Sequence, residues 1–419
     1  MRFIHAADIH LDSPLSGLAS YADAPVELLR TATRDAFTNL VDAAIEDGVD
    51  FMIIAGDLYD GSWKDYNTGY FFCREMGRLN KAGIPVYLLF GNHDAESEMT
   101  KRLTLPANVH VFETRKAHTF LIEDLKVALH GRSFRDAATT ENLAVNYPQK
   151  VTGWINIGVL HTALEGNSAH ATYAPCSLAE LSAKGYDYWA LGHVHEHAIV
   201  QKEPSWVVFP GNLQGRHIRE TGPRGAVVVH ADETGILSVE RLLVDVLRWH
   251  RVVVDASGAN TLADVVALAG REFERLVAAN TGNTPMSARV TVVGKTAAHG
   301  ELFGLEAHLR AEILGQAASA GVNTLWVEKV RVETTPAADP GAISARADAI
   351  ADLQTLLEDA PNDEALLRDI AEELQQLVGR APFELSEAVP DFACIRSGEV
   401  AQIVKAVTPG MIAHLAKAG

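Results

Sequence analysis

Five short segments of the chain concentrate aspartate, asparagine and histidine, and each directly follows an apolar run. They are Asp8-Ile9-His10, Gly56-Asp57-Leu58-Tyr59-Asp60, Gly91-Asn92-His93-Asp94, His161, and Gly192-His193-Val194-His195. Residues at i and i+2 of an extended segment point to one side, so Asp8 with His10, and His193 with His195, are each expected to present two ligands to one place. A carboxylate such as Asp57 can bridge two ions. Mixed imidazole, carboxylate and amide donors suit borderline divalent metals, with Mn ahead of Fe, Zn and Mg as the expected pair. Two such cations acidify a shared water and neutralise charge on the oxygens flanking phosphorus, which is the chemistry of phosphoester hydrolysis. One segment alone is weak; five in this order, each at a strand end, point to a metal centre.

The elements that carry these segments alternate short strands with helices, the pattern of a layered α/β or α+β domain. Strands are expected at 1–7, 50–55, 85–90, 126–130, 155–160, 186–191, 206–209 and 226–230. A helix fits 25–47, with Leu29, Thr33, Phe37, Leu40, Val41, Ala44 and Ile45 on one face and Gly48 closing it. A second fits 68–82, stopped by Gly83. Near Arg248 the pattern changes to a small strand-helix-strand-helix-strand unit, with strands at 251–254, 288–293 and 324–332 and helices at 262–279 and 302–318. Thr334 to Gly341 reads as a linker. Two apolar stripes follow, Ile343, Ala347, Ile350, Leu353 and Leu357, then Leu366, Leu367, Ile370, Leu374 and Leu377, divided by Pro361. A last amphipathic stretch covers 395–418, interrupted by Pro409 and Gly410. The expected domains are 1–245, 246–335 and 336–419.

Composition agrees with a folded chain. Of 419 residues, 47% are hydrophobic and 21% charged, which excludes a disordered protein. Apolar runs fall far short of a membrane span, and the first residues read as a strand rather than a leader, so a cytoplasmic protein with no membrane partner is expected. Three widely spaced cysteines exclude a disulfide framework and a cysteine-rich zinc site. The net charge of -18 argues against a globally basic nucleic-acid binder, so phosphate binding must be local or helped by cations. Arg216, His217 and Arg219, with Arg224, form a basic loop after a strand and are the candidate phosphate or DNA contacts. His5 and His130 read as structural, His197 as peripheral to the metals, and Cys176 as a small buried residue.

The order D-x-H, G-D-x-x-D, G-N-H-D, H and G-H-x-H resembles the calcineurin-like metallophosphoesterase superfamily. The stretches Phe3 to Pro14 and Pro210 to His217 are similar to the bacterial SbcD/YhaO-type DNA-repair exonucleases, counterparts of the Mre11 nuclease. The specific likeness covers about residues 1–240; beyond that it is architectural. It implies a four-layer α/β/β/α metallophosphoesterase domain, a small α+β capping domain and a helical tail. It also implies Asp8, His10 and His195 on one metal, Asn92, His161 and His193 on the other, and Asp57 bridging. His93 would be the catalytic histidine and Asp94 would orient its ring. Asp60 stands where relatives often have histidine and would be supporting. The implied activity is a two-metal DNA exonuclease or endonuclease in double-strand break repair. The implied partners are DNA, an SMC-like (SbcC/Rad50-type) ATPase bound by the tail, and a second copy in a homodimer. A phosphoesterase of small or cyclic nucleotides and a non-catalytic DNA scaffold are the alternatives, the second disfavoured because all seven ligands and His93 are present.

Overall fold

The computed structural model describes residues 1–15, 25–60, 66–96, 103–164, 173–280, 282–302, 305–321, 324–337, 349–378 and 390–418. It divides into two compact units, Met1–His250 with Thr284–Ser287, and Arg251–Asn283 with Ala288–Gly419.

Two six-stranded sheets build the first unit. One runs β12-β11-β1-β2-β3-β4, from β1 (Arg2–Ala6), β2 (Phe51–Ala55), β3 (Val86–Leu89), β4 (Val109–Val111), β11 (Gly225–Asp232) and β12 (Gly235–Leu243). The other runs β5-β6-β7-β8-β10-β9, from β5 (His118–Ile122), β6 (Val127–Gly131), β7 (Ile155–His161), β8 (Tyr188–Gly192), β9 (Ala198–Gln201) and β10 (Trp206–Phe209). Strand β2 shows why the sheets stack. All five of its residues are buried, and the two-residue period of a strand sends them to two cores. Met52 and Ile54 pack with Leu40, Phe72 and Met76 of the helices α1 (Val26–Glu46) and α2 (Tyr66–Lys81). Phe51, Ile53 and Ala55 pack with Val127, Leu129, Ile157, Val159 and Tyr188 of the facing sheet. Each of the Val, Leu, Ile, Phe and Met side chains among these contributes about 1.5–3 kcal/mol by its burial.

A single turn, α3 (Asn92–Glu96), follows β3. The outer face of the second sheet buries Leu160, Trp189, Leu191 and Val207 under α4 (Leu178–Ala183) and a 3-10 turn at Ala144–Asn146. Ser177 and Glu180 start α4 with a reciprocal capping box. The layers are therefore helices, sheet, sheet and a thin helical cover, the expected α/β/β/α order.

Four strands escaped the sequence reading: β4, β5, β9 and β12. Each lies at an edge of its sheet. An edge strand is covered by one neighbour and part of one face, so it needs no continuous apolar run; the burial patterns of β4 and β9 contain no fully buried residue.

The second unit carries most of a three-stranded sheet in the order β13-β14-β15, from β13 (Arg248–Asp255), β14 (Met286–Thr296) and β15 (Leu325–Pro336). Helix α5 (Leu262–Ala279) opens on a capping box of Thr261 and Asp264 and buries Leu262, Val265, Val266, Ala269 and Phe273. The expected helix at 302–318 is two helices, α6 (His299–Leu302) and α7 (Glu306–Ala320). Thr334 to Pro336, expected as linker, finish β15, and 338–348 lie outside the described residues, as do Ile343 and Ala347. Among the described residues four helices follow: α8 (Ala349–Asp359), α9 (Glu364–Val378), α10 (Pro390–Ser397) and α11 (Val400–Ala418). Pro361 divides α8 from α9 within a 3-10 turn, as expected. The last stretch is broken at Gly398, not at Pro409. Gly398 has φ +80°, its N–H bonds Ile395 O and Glu399 N–H bonds Cys394 O, the two hydrogen bonds of a helix stop; α11 then runs through Pro409 and Gly410 and packs on α6. Among the described residues no helix is long and apolar enough to cross a membrane.

Candidate metal centre

Strands β1, β2 and β3 run parallel, as do β6, β7, β8 and β10. Their carboxyl ends therefore align, and the loops leaving them meet. The Asp8 N–H bonds Gly56 O and the His10 N–H bonds Asp57 O, both at 3.0 Å, which locks the β1 and β2 loops together. Between sheets, the His193 N–H donates to Asp8 Oδ2 at 3.0 Å and His161 Nδ1 donates to Ala55 O at 3.0 Å. Three glycines permit this approach. A Cβ on Gly91 would meet Asp57 Oδ1, one on Gly192 would meet the Ala55 carbonyl, and one on Gly56 would meet His161 Nδ1.

The backbone of these segments is not extended. Asp8 (φ 50°), His10 (46°), Asp57 (53°) and His193 (100°) all have positive φ, a conformation that costs a non-glycine residue about 1–3 kcal/mol and clusters at functional sites. Each strand has already ended, so the i, i+2 rule does not operate. His193 and His195 consequently separate: His195 joins Asp8 and His10, whereas the His193 ring packs edge-on to His161 at 5.3 Å.

Two groups of donors overlap at Asp8. In one, Asp8, His10 and His195 each offer an atom within 4.8 Å of the others; in the second, Asp8, Asp57 and His161 do the same. Asp57 Oδ2 lies 3.4 Å from His161 Nε2 and 4.0 Å from His10 Nε2, between the two groups. Asn92 Oδ1 is 3.0 Å from His161 Nε2. His193 belongs to neither of these groups, nor to the third found among the described residues, His10 with Asp60 and His93. Asp8, Asp57, His10 and His161 are essentially inaccessible to solvent.

The chemistry of these donors fits a cation at each group. His161 gives its Nδ1 proton to Ala55 O, so neutral His161 turns a lone pair on Nε2 toward the acceptors Asn92 Oδ1 and Asp57 Oδ2. Acceptors converge in this way only around positive charge, a proton or a metal. Burial opposes a charged His161, but Asp57 outweighs it and pushes the pKa to about 9. Burial opposes Asp57 too, and His161 then holds it far below the usual carboxylate range. In the other group, His10 Nε2 and His195 Nε2 face each other at 3.2 Å. His195 Nδ1 lies 2.7 Å from Glu220 Oε1. Burial and then Arg216 depress His10 to about 4, so it is neutral with its Nδ1 buried and unbonded, 3.6 Å from Asp60.

His93 stands at the mouth. Its side chain is 38% exposed, its ring is 5.2 Å from that of His10, and its N–H bonds Asp57 Oδ1 at 3.1 Å. The carboxylate beside His93 Nδ1 is that of Asp60, at 3.5 Å. Asp94, expected to orient this ring, instead accepts the backbone N–H groups of Leu58, Tyr59 and Gly91, because the short turn of α3 directs it back under its own loop. The basic loop also divides. Arg216 turns inward, donating to Ser13 Oγ at 3.0 Å and lying 3.6 Å from Glu220, while His217 is 3.8 Å from Glu220 and Arg219 is exposed. His5, bonded to Tyr188 Oη and Leu191 O, and His130, bonded to Thr119 and Asn156, are structural pins.

Sequence reasoning missed Glu220 and the proximity of Asp60 to His93. Glu220 is 25 residues from His195 along the chain, and no spacing rule links them.

A family model for the calcineurin-like phosphoesterases matches residues 1–197. A protein of Bacillus subtilis described as uncharacterized metallophosphoesterase YhaO is 33% identical over 297 residues, 70% of this chain and 72% of that one. The chain belongs to the calcineurin-like metallophosphoesterases. A model for the middle domain of metallophosphoesterase YhaO matches residues 249–335, around the three-stranded sheet. Two proteins named DNA double-strand break repair protein Mre11 are more distant. That of Methanopyrus kandleri is 25% identical over 319 residues, 68% of this chain and 66% of that one; that of Sulfurisphaera tokodaii is 23% identical over 266 residues, 61% and 66%. As a metallophosphoesterase, the chain is a phosphoester hydrolase, and its buried carboxylates and imidazoles suit divalent metal ions.

Proposed function

We propose that this metallophosphoesterase is a two-metal phosphodiesterase that cuts DNA at ends, in the repair of double-strand breaks. Two overlapping donor groups sharing Asp8, with the half-exposed His93 beside them, carry the phosphodiesterase reading. The likeness to the two Mre11 proteins supports DNA as the substrate.

In this reading Asp8, His10 and His195 would hold one ion and Asn92, His161 and His193 the other, with Asp57 as the carboxylate shared between them. Mn is the proposed metal. When bound, the pair supplies Lewis acidity that activates water and offsets charge at phosphorus. Ala55 O and Glu220 fix which nitrogen of His161 and of His195 faces inward. The N–H of His93 holds Asp57 Oδ1, leaving Oδ2 toward the two groups. With Asp60 at Nδ1, His93 keeps its Nε2 for the substrate, where it donates a proton or a hydrogen bond to the leaving oxygen. Ser13 and Arg216 hold Asp60, Ser13 Oγ donating to it at 2.8 Å.

The test is turnover with Mn of end-labelled duplex DNA, single-stranded DNA and a cyclic dinucleotide, with His93→Ala as control. Duplex DNA shortened from its ends, with His93→Ala slower by about 10²–10⁴-fold, is expected. Turnover of the cyclic dinucleotide alone would overturn the nuclease reading.

We also propose that α8 to α11 dock an SMC-like ATPase, for which exposed Leu356, Leu366 and Met411 provide apolar contacts. Co-purification unaffected by removal of residues 349–419 would end that proposal.

A further inference from the structure

The loop after β10 was expected to grip phosphate, yet most of its polar groups turn into the protein. Gln214 Nε2 donates to Leu247 O at 2.7 Å, the Val246 N–H donates to Gln214 Oε1 at 2.9 Å, and Trp249 Nε1 donates to Gly215 O at 2.8 Å. The loop is thereby pinned along its length. Its end is Glu220, whose residue is only 6% exposed. One carboxylate oxygen, Oε2, accepts from the Arg216 N–H at 2.7 Å and from Asn212 Nδ2 at 3.0 Å. The other, Oε1, faces His195 Nδ1 at 2.7 Å.

We infer that Glu220 is a positioning residue for the metal centre: by holding the proton of His195 on Nδ1 it keeps the Nε2 lone pair turned toward Asp8 and His10, and so sets the affinity of that one ion. The inference rests on the two-metal reading above and deepens it.

Geometry and charge agree. Two N–H groups donate to Glu220 Oε2 and the Arg216 guanidinium lies 3.6 Å from Oε1, surroundings that suit a carboxylate. An ionised carboxylate can only accept, so the short contact requires the proton on Nδ1 of His195. A histidine ligand backed by an anion is also more basic than one backed by a neutral group. The two donor groups differ in this respect. His161 is backed by the neutral Ala55 carbonyl, His195 by a full negative charge. Loss of Glu220 should therefore weaken one ion and spare the other.

The experiment titrates Mn into the metal-free full chain by calorimetry, for wild type, Glu220→Gln, Glu220→Asp, Gln214→Ala and His195→Ala, with urea unfolding of each metal-free protein as the fold control. Wild type is expected to bind two ions. Glu220→Gln should lose about 10–100-fold in affinity for one ion with the second unchanged, and Glu220→Asp should recover part of that loss. Gln214→Ala unpins the same loop from Leu247 and Val246, and the Gln214 side chain bonds neither Glu220 nor His195, so it should lower stability without changing either affinity. Combining Glu220→Gln with His195→Ala should cost no more metal affinity than His195→Ala alone. Two unchanged affinities in Glu220→Gln, additive losses in the double variant, or an equal loss in Gln214→Ala would each overturn the inference. Failure of wild type to bind any divalent ion would instead overturn the two-metal reading itself.

Discussion

Replacing Asp94 separates a role in catalysis from a role in building the loops. Its carboxylate accepts the N–H of Leu58 at 3.2 Å, of Tyr59 at 3.0 Å and of Gly91 at 2.9 Å, and its residue is only 1% exposed. Asp94→Ala strands three buried donors. A stranded donor costs about 1–3 kcal/mol, and water entering the vacated space offsets part of this. The lower end applies, so Asp94→Ala should lose roughly 3 kcal/mol, a large share of the 5–15 kcal/mol typical of a domain. Asp94→Asn keeps one acceptor oxygen and turns an N–H toward the remaining donors, so its loss should be smaller, about 1–2 kcal/mol. The damage should spread to the metals, because Leu58 directly follows Asp57. Urea unfolding of the metal-free protein, followed by tryptophan fluorescence, measures the first quantity, and Mn calorimetry the second. A loss below about 1 kcal/mol in Asp94→Ala, with turnover abolished and Mn still bound, would refute this account and restore Asp94 to the His93 ring.

Three further outcomes are expected. Burial depresses His5 to about 3, so its contribution to stability is complete above its unfolded pKa of 6.5 and is lost as pH falls from there toward 3. Between pH 6 and pH 4.5 the wild type should lose about 1.4 kcal/mol per pH unit more than His5→Gln in urea unfolding; equal slopes would contradict the burial argument. Gly192→Ala drives a methyl into the Ala55 carbonyl and toward His161, which should cost about 1–3 kcal/mol or more and weaken Mn binding, read by unfolding and calorimetry; unchanged values would mean that the two sheets yield at this point. Mn added to metal-free protein should raise its unfolding temperature, each site contributing about 2.7 kcal/mol at 100 times its Kd. Asp8→Asn, which touches both donor groups, should remove most of that gain, and an undiminished shift would place the ions elsewhere.

Some of this molecule could be read directly from the chain. The buried central strands appear as unbroken apolar runs because both faces of each are covered, and α1 shows its buried face at helical spacing because a single stripe of it meets the sheet. The chemistry-bearing segments were legible because their residue types are costly to bury without a partner and each follows a strand. The edge strands β4, β5, β9 and β12 were not, since half-covered backbone needs no apolar signature. The spacing rule kept His193 with His195, while the family resemblance set them apart; side-chain direction does not follow spacing here because left-handed turns come after the strands. The same holds for Asp94, drawn to three amides, for Asp60, brought beside His93, and for Glu220, placed on His195 from a separate loop. Residue type and order along the chain determine which groups can bind a metal; which nitrogen faces it, and what holds that nitrogen there, arises only when distant loops are packed together.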